Sequence, residues 1–358
     1  MFRHKGRLIL TQVVLIVAGA AFMMVMSLNS SLDLTLDNYF GRLRYDITVY
    51  FSNQERGDRI IPLAETVPGV EKVELDYGQQ AALFLEGQQV KDAGISTNIR
   101  GIRGDSDIYE PLMVAGRWLG PQDAGRVLVI PRQTAEDYNI NLGDMVTLDL
   151  GVYGKEKWQV IGLYEPVFVG GFSAANLYAP MDTLYDISKK YNRASQIMVR
   201  TTAHDEASIT AITKSLKNVF ERHSLKVAAS TTQLEARATN EWQFSLVTNM
   251  LLALSIIVAI VGGIALMGAL SIGVIERTKE IGVLRAIGAR SRTILGIFVM
   301  EGLLQGLISW SIAIPLSFLI SPIAAMQLGH IMFGATLDYQ YNWPAVGIWL
   351  GIVVMISI

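Results

Sequence analysis

Three long apolar runs set the hydrophobic pattern of this chain. The first two, Leu8–Leu32 and Trp242–Ile275, contain no Asp, Glu, Lys or Arg, and the third begins after Arg292. A helix needs about 20 apolar residues to cross the hydrocarbon core of a bilayer, so each run predicts a membrane span. A shorter run over residues 344–358 predicts the start of a fourth span. We expect this span to be truncated, because it stops with the sequence.

The first run follows a basic cluster formed by Arg3, His4, Lys5 and Arg7. A secretory signal peptide would share that charge, but its apolar region is usually about 7–15 residues long and ends at a small-x-small cleavage site. This run is longer and has no clear site of that kind. We therefore predict an uncleaved span within residues 1–32, with a cytoplasmic N-terminus that places the following residues outside.

Residues 33–241 are polar enough for a folded domain of roughly 200 residues outside the membrane. Each end of this region shows a strand, a helix and a second strand, which predicts ferredoxin-like βαβ halves. Residues 78–194 between them predict an inserted β-rich subdomain with short strands and one helix after Pro131. The predicted segments at the ends are 44–51, 60–67 and 70–75, then 196–200, 209–220 and 225–229; those in the insertion include 126–130, 145–150 and 158–163.

The membrane part is predicted over residues 242–358. Its second span, up to residue 275, would be about 50 Å long as a helix and is therefore expected to begin outside the bilayer as a stalk. A third span is predicted at 293–320, an outer segment at 321–343 and the fourth helix from Trp343-Pro344. Small residues four apart predict close helix packing, although membrane helices are rich in glycine and alanine anyway. These residues are Ala265, Ala269, Gly273, Gly302 and Gly306.

The segment 276–292 between the second and third spans carries most of the charge in this apolar half. Five basic residues stand against Glu276 and Glu280, which predicts a cytoplasmic loop. Opposite charges at i,i+3, namely Glu276 with Lys279 and Arg277 with Glu280, support a short amphipathic helix. Its apolar edge is Ile281, Leu284 and Ile287, and Gly288 is placed to end it. The helix suits docking to a soluble partner; the simpler alternative is a positive turn that only sets topology.

Candidate chemistry elsewhere is sparse. The chain has no cysteine and a formal net charge of −2, so its composition indicates neither disulfides nor nucleic-acid binding. No GxxxxGK(S/T) phosphate loop occurs, which argues against an ATP site in this chain. His204 and His223 are interpreted as surface residues, and Asp105 and Asp107 as a solvated turn. Glu301 is an ionisable residue in the third span and hence a functional candidate.

ERTKEIGVLRAIGAR, residues 276–290, followed by Glu301-Gly302, resembles the signature of FtsX/MacB-type permeases of ABC transporters. The layout of nearly the whole chain is similar too. The resemblance implies a multi-pass protein of the inner or plasma membrane, without enzymatic activity or cofactor of its own. It also implies a cytoplasmic ABC ATPase dimer that binds ATP and Mg, a second permease unit as homodimer or tandem half, and room for a periplasmic adaptor or outer-membrane channel. The implied ATPase-coupling helix comprises Glu276, Arg277, Lys279, Glu280, Gly282, Arg285 and Gly288.

Two functions remain open at this level. The first is export or extraction of a peptide, lipid, lipoprotein or drug. The second is mechanotransmission, in which motion of the outer domain activates an extracytoplasmic partner such as a cell-wall hydrolase. An external domain of roughly 200 residues favours the first. A membrane-anchored enzyme is a third class, for which the sequence offers no catalytic cluster.

Overall fold

A computed structural model describes residues 3–85, 94–166, 175–333 and 336–357. Its described helices are α1 (Arg3–Phe40), α2 (Gly57–Glu65), α3 (Arg132–Asp137), α4 (Met181–Ser188), α5 (Glu206–Arg222), α6 (Gln233–Glu276), α7 (Thr278–Ala286), α8 (Ser291–Phe333) and α9 (Trp343–Ser357). The described strands are β1 (Ile47–Arg56), β2 (Val70–Phe84), β3 (Ile95–Ile102), β4 (Leu112–Gly116), β5 (Val127–Pro131), β6 (Met145–Asp149), β7 (Lys155–Glu165), β8 (Ala175–Pro180), β9 (Arg193–Thr201) and β10 (Val227–Thr232).

The chain divides into two compact units. One consists of Met1–Thr35, Glu241–Ile331 and Thr336–Ile358, and the other chiefly of Leu36–Asn240. We call the first the helical unit and the second the α/β unit. Helices α1 and α6 each contribute residues to both.

One end of the α/β sheet has the strand order β10-β1-β9-β2, with antiparallel pairing throughout. Helices α2 and α5 bury their apolar faces against these strands, because buried residues recur at helical spacing within each helix: Ile60 and Ala64 in α2, and Ile209 and Leu216 in α5. Their core also contains Ile47, Val49, Ile197, Val199 and Phe220, all buried. The short elements predicted at both ends of this region are therefore present. Their bounds differ from the predicted ones by a few residues, except that β2 continues to Phe84, nine residues past its predicted end.

The sheet continues through β2 into the second part of the unit, in the order β2-β3-β8-β5-β7-β4, with β6 pairing β2 and β7. Strand β2 is 15 residues long. Its first part pairs with β9 as far as Asp76, and its second part pairs with β3 from Tyr77 onward. The strand thus runs unbroken across position 78, where the inserted subdomain was predicted to begin. A second core on this side is centred on Trp158, which is fully buried.

Among the residues that the structure describes, three helices are long and apolar enough to cross a membrane: Ile9–Phe40, Gln233–Glu276 and Ser291–Met332. Most of each of these helices belongs to the helical unit. Helix α9 is shorter and begins at Trp343, as predicted. The start of α6 is set by Thr232 and Glu235, which form a capping box: Thr232 N–H donates to Glu235 Oε2 at 2.9 Å, and Glu235 N–H to Thr232 Oγ1 at 3.1 Å.

All three long helices extend beyond the apolar runs used to predict them. Helix α1 continues to Phe40 and α6 begins at Gln233, well before Trp242. Helix α8 continues to Phe333, so residues 321–333 of the predicted outer segment are helical and do not form a loop. The outer location of this segment stays a prediction. Pro315 and Pro322 lie inside α8. The extension follows from sequence rich in helix formers after Pro322, namely Ala, Met, Gln and Leu.

A ladder of hydroxyl groups on α1 binds the extended segment before α9. Ser27, Ser31 and Thr35 stand four residues apart, so they share one face of the helix. Their hydroxyl oxygens accept hydrogen bonds from the backbone N–H groups of Asn342, Gln340 and Asp338, with N···O distances of 3.1, 3.0 and 2.8 Å, respectively. The helix pitch thus matches the two-residue period of an extended chain running the opposite way. We call this contact the hydroxyl ladder.

Candidate functional site

The candidate ATPase-coupling segment is a short exposed helix between two long apolar ones. Helix α6 ends at Glu276, and Arg277 leaves helical geometry with φ −92° and ψ 16° before α7 starts at Thr278. Thr278 Oγ1 donates to the carbonyl of Ile275 at 2.6 Å, which ties the first residue of α7 to the last turn of α6. A single non-helical residue therefore separates the two helices.

No residue of α7 is buried. Its apolar residues divide into half-buried Ile281 and Leu284, and exposed Val283 together with the following Ile287, which are 62% and 77% accessible. The charged side chains of Glu276, Arg277, Lys279, Glu280 and Arg285 are also exposed. A helix that displays both signs of charge and apolar surface can dock in a groove of a partner protein.

Gly288 ends α7 in a Schellman motif. Its φ is +95°, a left-handed conformation that favours glycine. The N–H of Gly288 donates to the carbonyl of Arg285 at 3.0 Å, and that of Ala289 to the carbonyl of Leu284 at 2.9 Å. The stop predicted at Gly288 is confirmed in this geometry, and it fixes where the chain turns towards α8.

Arg277 is paired across the loop rather than along the helix. Its Nη1 lies 3.4 Å from Oε2 of Glu301 in α8. The predicted Arg277–Glu280 pair is replaced because Arg277 is outside helical geometry, so the i,i+3 spacing no longer brings the two side chains together. Glu301, proposed from sequence as a functional carboxylate, thus meets the residue that separates α6 from α7.

The small residues predicted to mediate helix packing differ in their surroundings. Gly302 and Gly306 are buried, whereas Ala265 and Ala269 are half-buried. A Cβ at Gly273 would meet no atom within 4 Å, and the same holds for Gly282 in α7. The role of these five small residues in packing stays a prediction.

Other glycines make close approaches that the sequence analysis missed. A Cβ on Gly19 would collide with the indole of Trp349, one on Gly262 would lie 3.0 Å from Leu15 Cδ2, and one on Gly263 would lie 2.9 Å from Ile356 Cγ2. The adjacent glycines 262 and 263 thus contact two different helices, α1 and α9. The sequence contained a signal for these contacts, the adjacent Gly262 and Gly263. The search for small residues four apart does not detect two adjacent glycines.

The remaining candidates form no catalytic arrangement. Nδ1 of His204 lies 2.8 Å from Asp46 Oδ1, and His223 Nδ1 lies 2.8 Å from the carbonyl of Val219. Asp105 pairs with Arg103, and Asp107 with Lys72 and Arg200. Within the described ranges, no group of three or more His, Asp or Glu residues is placed to hold a metal ion.

Two family models match the chain. The MacB-like periplasmic core domain matches residues 8–219, more than half of the sequence, and the FtsX-like permease C-terminal domain matches residues 252–358. The second match contains the whole of α7 and Glu301. The resemblance inferred from residues 276–290 is thereby confirmed.

Curated relatives agree with the family models. A macrolide export ATP-binding/permease protein MacB of Aggregatibacter actinomycetemcomitans is 28% identical over 332 residues, covering 88% of this chain and 50% of that protein. An uncharacterized ABC transporter permease of Methanocaldococcus jannaschii is 26% identical over 258 residues, covering 69% of this chain and 60% of that protein. The crystal structure of the periplasmic region of MacB from Actinobacillus actinomycetemcomitans aligns with 58% of this chain and 98% of its own, at 18% identity and a TM-score of 0.41.

The chain spans about half the length of the MacB relatives that match most of it. Together, the two family models cover residues 8–219 and 252–358. These ranges include most of the α/β unit and most of the apolar helices described above. The chain therefore belongs to the family of ABC transporter permeases that combine a MacB-like periplasmic core domain with an FtsX-like permease domain.

Proposed function

We propose that this permease couples ATP hydrolysis by a separate cytoplasmic ATPase dimer to motion of its α/β unit outside the membrane. The observation that carries the proposal is α7: a helix without buried residues, ended by the Gly288 cap, with exposed charges and joined to α6 by one residue. The ATPase would bind ATP and Mg, since this sequence has no phosphate loop. Two permease units would face the two ATPase subunits.

Helix α6 supports a mechanical relay. At 44 residues it is about 66 Å long, roughly twice the hydrocarbon thickness of a bilayer. Its first turn is capped by Thr232 of β10, and Arg237 pairs with Asp37 of α1 at 2.7 Å. Movement of α7 would therefore be passed along a continuous helix to the sheet.

We infer the finer architecture from the same features. The antiparallel order β10-β1-β9-β2 with helices α2 and α5 supports a ferredoxin-like arrangement of the two βαβ halves. The apolar character of α9 supports a fourth span. The excess of basic residues in the 276–292 loop and before residue 8 supports a cytoplasmic loop and N-terminus in the inner or plasma membrane.

Export or extraction of a peptide, lipid, lipoprotein or drug is the preferred activity. The size of the α/β unit supports it, as does the similarity to MacB relatives that are named macrolide export proteins. The two functions differ in what stimulates ATP hydrolysis. In mechanotransmission, hydrolysis would respond to an extracytoplasmic partner protein and not to a transported compound. ATPase activity of the assembled complex in liposomes, with candidate substrates or proteins added, distinguishes these two functions.

The coupling role is tested by co-purifying the permease with ABC ATPases. The test variant is Glu280→Lys with Arg285→Glu, which reverses two exposed charges of α7. The matched control is Lys217→Glu with Glu221→Lys, an exposed i,i+4 pair on α5 of the α/β unit. Both variants keep net charge, and both leave buried residues untouched.

We expect the native protein and the α5 control to retain the ATPase and the α7 variant to lose it, with equal amounts of folded permease in the membrane. Retention by the α7 variant would show that α7 does not carry the contact. Absence of an ATPase from all three forms would leave 276–292 as a topology signal only and would refute the proposal.

A further inference from the structure

The α/β unit contains a cavity of about 200 Å³ beside Asp76, where β2 passes from its pairing with β9 to its pairing with β3. Both parts of the sheet line it, through Thr48 of β1 and Arg100 of β3. The ends of two long helices complete it, through Tyr39 of α1 and Gln233 of α6. A molecule bound here would contact both parts of the sheet and the two helices, α1 and α6, that continue from this unit into the helical unit.

The cavity has no net charge. Arg100 and Asp76 are its charged lining residues, and they pair with each other through two contacts, Nε to Oδ1 at 3.3 Å and Nη2 to Oδ2. Asp76 is 1% exposed and also accepts a hydrogen bond from Gln196. Because the side-on contact uses Nε and Nη2, Nη1 of Arg100 is directed away from Asp76. A charged ligand would need an additional counter-charge in this partly buried site, so the lining favours a neutral one.

Tyrosines make up much of the wall. Burial raises the pKa of Tyr45, Tyr109 and Tyr164 further above neutral pH. A protonated phenol can both donate and accept hydrogen bonds, but the Tyr164 hydroxyl already donates to the carbonyl of Asn176 at 2.8 Å and offers only its oxygen as an acceptor. The rings of Tyr109 and Tyr164 lie 5.5 and 5.3 Å from that of Tyr178, centroid to centroid. The cavity therefore offers aromatic faces and hydroxyl groups together with the amides of Asn176 and Gln233.

The volume limits the size of a ligand. Drug-sized molecules occupy pockets of about 300–1,000 Å³, and this cavity is smaller. It has room for about seven waters at roughly 30 Å³ each, enough for one small ring compound. A ring that bears several hydroxyl groups and a face of C–H bonds would match both the hydrogen-bonding groups and the aromatic faces of the cavity wall. Its hydroxyl groups would form hydrogen bonds, and aromatic faces attract polarised C–H groups.

We propose that this cavity is a binding site for a neutral sugar ring, a single monosaccharide or the terminal unit of a glycan. The Arg100–Asp76 pair and the tyrosine hydroxyls would bind the sugar hydroxyls, and the tyrosine rings would pack on its C–H face. The site does not depend on the coupling role of α7. Binding is measurable without an ATPase, so the failure of either proposal leaves the other intact.

The test is isothermal titration calorimetry on the full chain in a detergent without a sugar headgroup, because a maltoside would compete. The probes are glucose, galactose and N-acetylglucosamine, with the anion inorganic phosphate and the zwitterion glycine as ionic comparators. One variant is Tyr45→Phe, which removes a hydroxyl group from the cavity wall. The other is Arg100→Lys, which keeps the positive charge but removes the two-nitrogen contact of the guanidinium with Asp76. The matched control is Tyr185→Phe, whose hydroxyl donates to the carbonyl of Arg193 at 3.0 Å outside the cavity.

We expect at least one of the sugars to bind saturably to the native chain and to the Tyr185→Phe control. Tyr45→Phe should weaken that binding about two- to tenfold, the usual value of one hydrogen bond, and Arg100→Lys should weaken it further. If Arg100→Lys does not fold, Tyr45→Phe decides the question. The proposal is overturned if none of the sugars binds, if cavity and control variants bind equally, or if only phosphate or glycine binds.

Discussion

Nη1 of Arg277 lies 3.4 Å from Oε2 of Glu301, so the residue that separates α6 from α7 is held to α8. The two side chains are 51% and 30% exposed. An ion pair of this exposure contributes about 0–1 kcal/mol, too little to decide whether the helical unit folds. Its position, at the one break between a long helix and the candidate docking helix, makes it suited to fixing the direction of α7.

We predict that Glu301→Gln reduces ATP hydrolysis by the assembled complex without releasing the ATPase. Loss of a pair worth up to about 1 kcal/mol corresponds to a change of about fivefold or less. The measurement is ATPase activity per bound ATPase in proteoliposomes. Arg277→Glu and Glu301→Arg should each lower the activity, and the double variant that exchanges the two charges should recover it. A double variant as impaired as the single variants would contradict a pairing role.

Gly288 gives the second prediction. Replacing it with alanine places a Cβ on a residue at φ +95°, which should cost about 1–2 kcal/mol and loosen the last turn of α7. Hydrogen–deuterium exchange of the amides in residues 283–289 should speed up by about five- to thirtyfold. The expected defect lies in the helix end and not in the membrane spans.

Gly282→Ala is the matched control for that experiment. It adds the same methyl group in the interior of α7, where a Cβ would meet no atom within 4 Å. Alanine is favoured over glycine there by about 1 kcal/mol, so exchange should slow down. Equal behaviour of the two variants would show that the left-handed turn is unimportant.

Local signals in the sequence predicted more of this molecule than did signals between distant residues. The three apolar runs, seven of the ten described strands and the stop at Gly288 follow from periodicity, charge and glycine, each of which acts within a few residues. Strands β3, β4 and β8 were not predicted. The continuity of β2 past Asp76 and the pairing of Arg277 with Glu301 were missed. These depend on which segments meet in space, and a single sequence carries no local mark of that.

The hydroxyl ladder is an example of a contact with a recognisable pattern and an unpredictable partner. Ser27, Ser31 and Thr35 are visibly four apart in the sequence, but hydroxyl groups in membrane helices usually bond their own backbone, as Ser31 also does to Ser27 at 2.8 Å. The extended segment that completes the ladder is more than 300 residues away in the chain. Its polar residues alone predicted only a connection.

We predict that Ser31→Ala destabilises the helical unit by about 1–3 kcal/mol, because the N–H of Gln340 loses its acceptor in a partly buried place. Thermal unfolding of the detergent-solubilised chain measures the loss. The control is Ser255→Ala, a buried serine that donates to Leu252 of its own helix at 2.8 Å. Similar losses from both would mean that burial, and not the ladder, accounts for the effect.

Gly19 packs directly against Trp349, which is 1% exposed. We predict that Gly19→Ala costs about 1–3 kcal/mol, since the indole has little space to move in a filled helix interface. Unfolding temperature and the yield of folded protein are the measurements. Gly347→Ala on α9 is the control, as its Cβ would meet no atom within 4 Å; an unchanged unfolding temperature for Gly19→Ala would show that Trp349 repacks freely.

Asp107 joins the loop after β3 to two strands of the sheet, through Lys72 on β2 and Arg200 on β9, whose Nη1 lies 3.3 Å from Oδ2. The hydrogen bond from Lys72, with a further contribution from Arg200, lowers the pKa of Asp107 to about 2. A lowered pKa stabilises the folded state above the ordinary carboxyl value of about 3.9, and this contribution disappears as the pH falls towards about 2.

We therefore predict that Asp107→Asn destabilises the α/β unit at neutral pH, by less than about 1 kcal/mol because the carboxylate is half exposed and screened by water. Between about pH 4 and pH 2 the native chain should lose this contribution, so that the two proteins approach equal stability. Hydrogen exchange in β2 and β9 at several pH values measures the difference. In a cycle with Lys72→Met, the coupling between the two positions should be present at pH 7 and greatly reduced at about pH 2, where half of the Asp107 carboxyls in the folded chain are protonated. A coupling that does not change with pH would mean that the two side chains interact through packing and not through the ionised carboxylate.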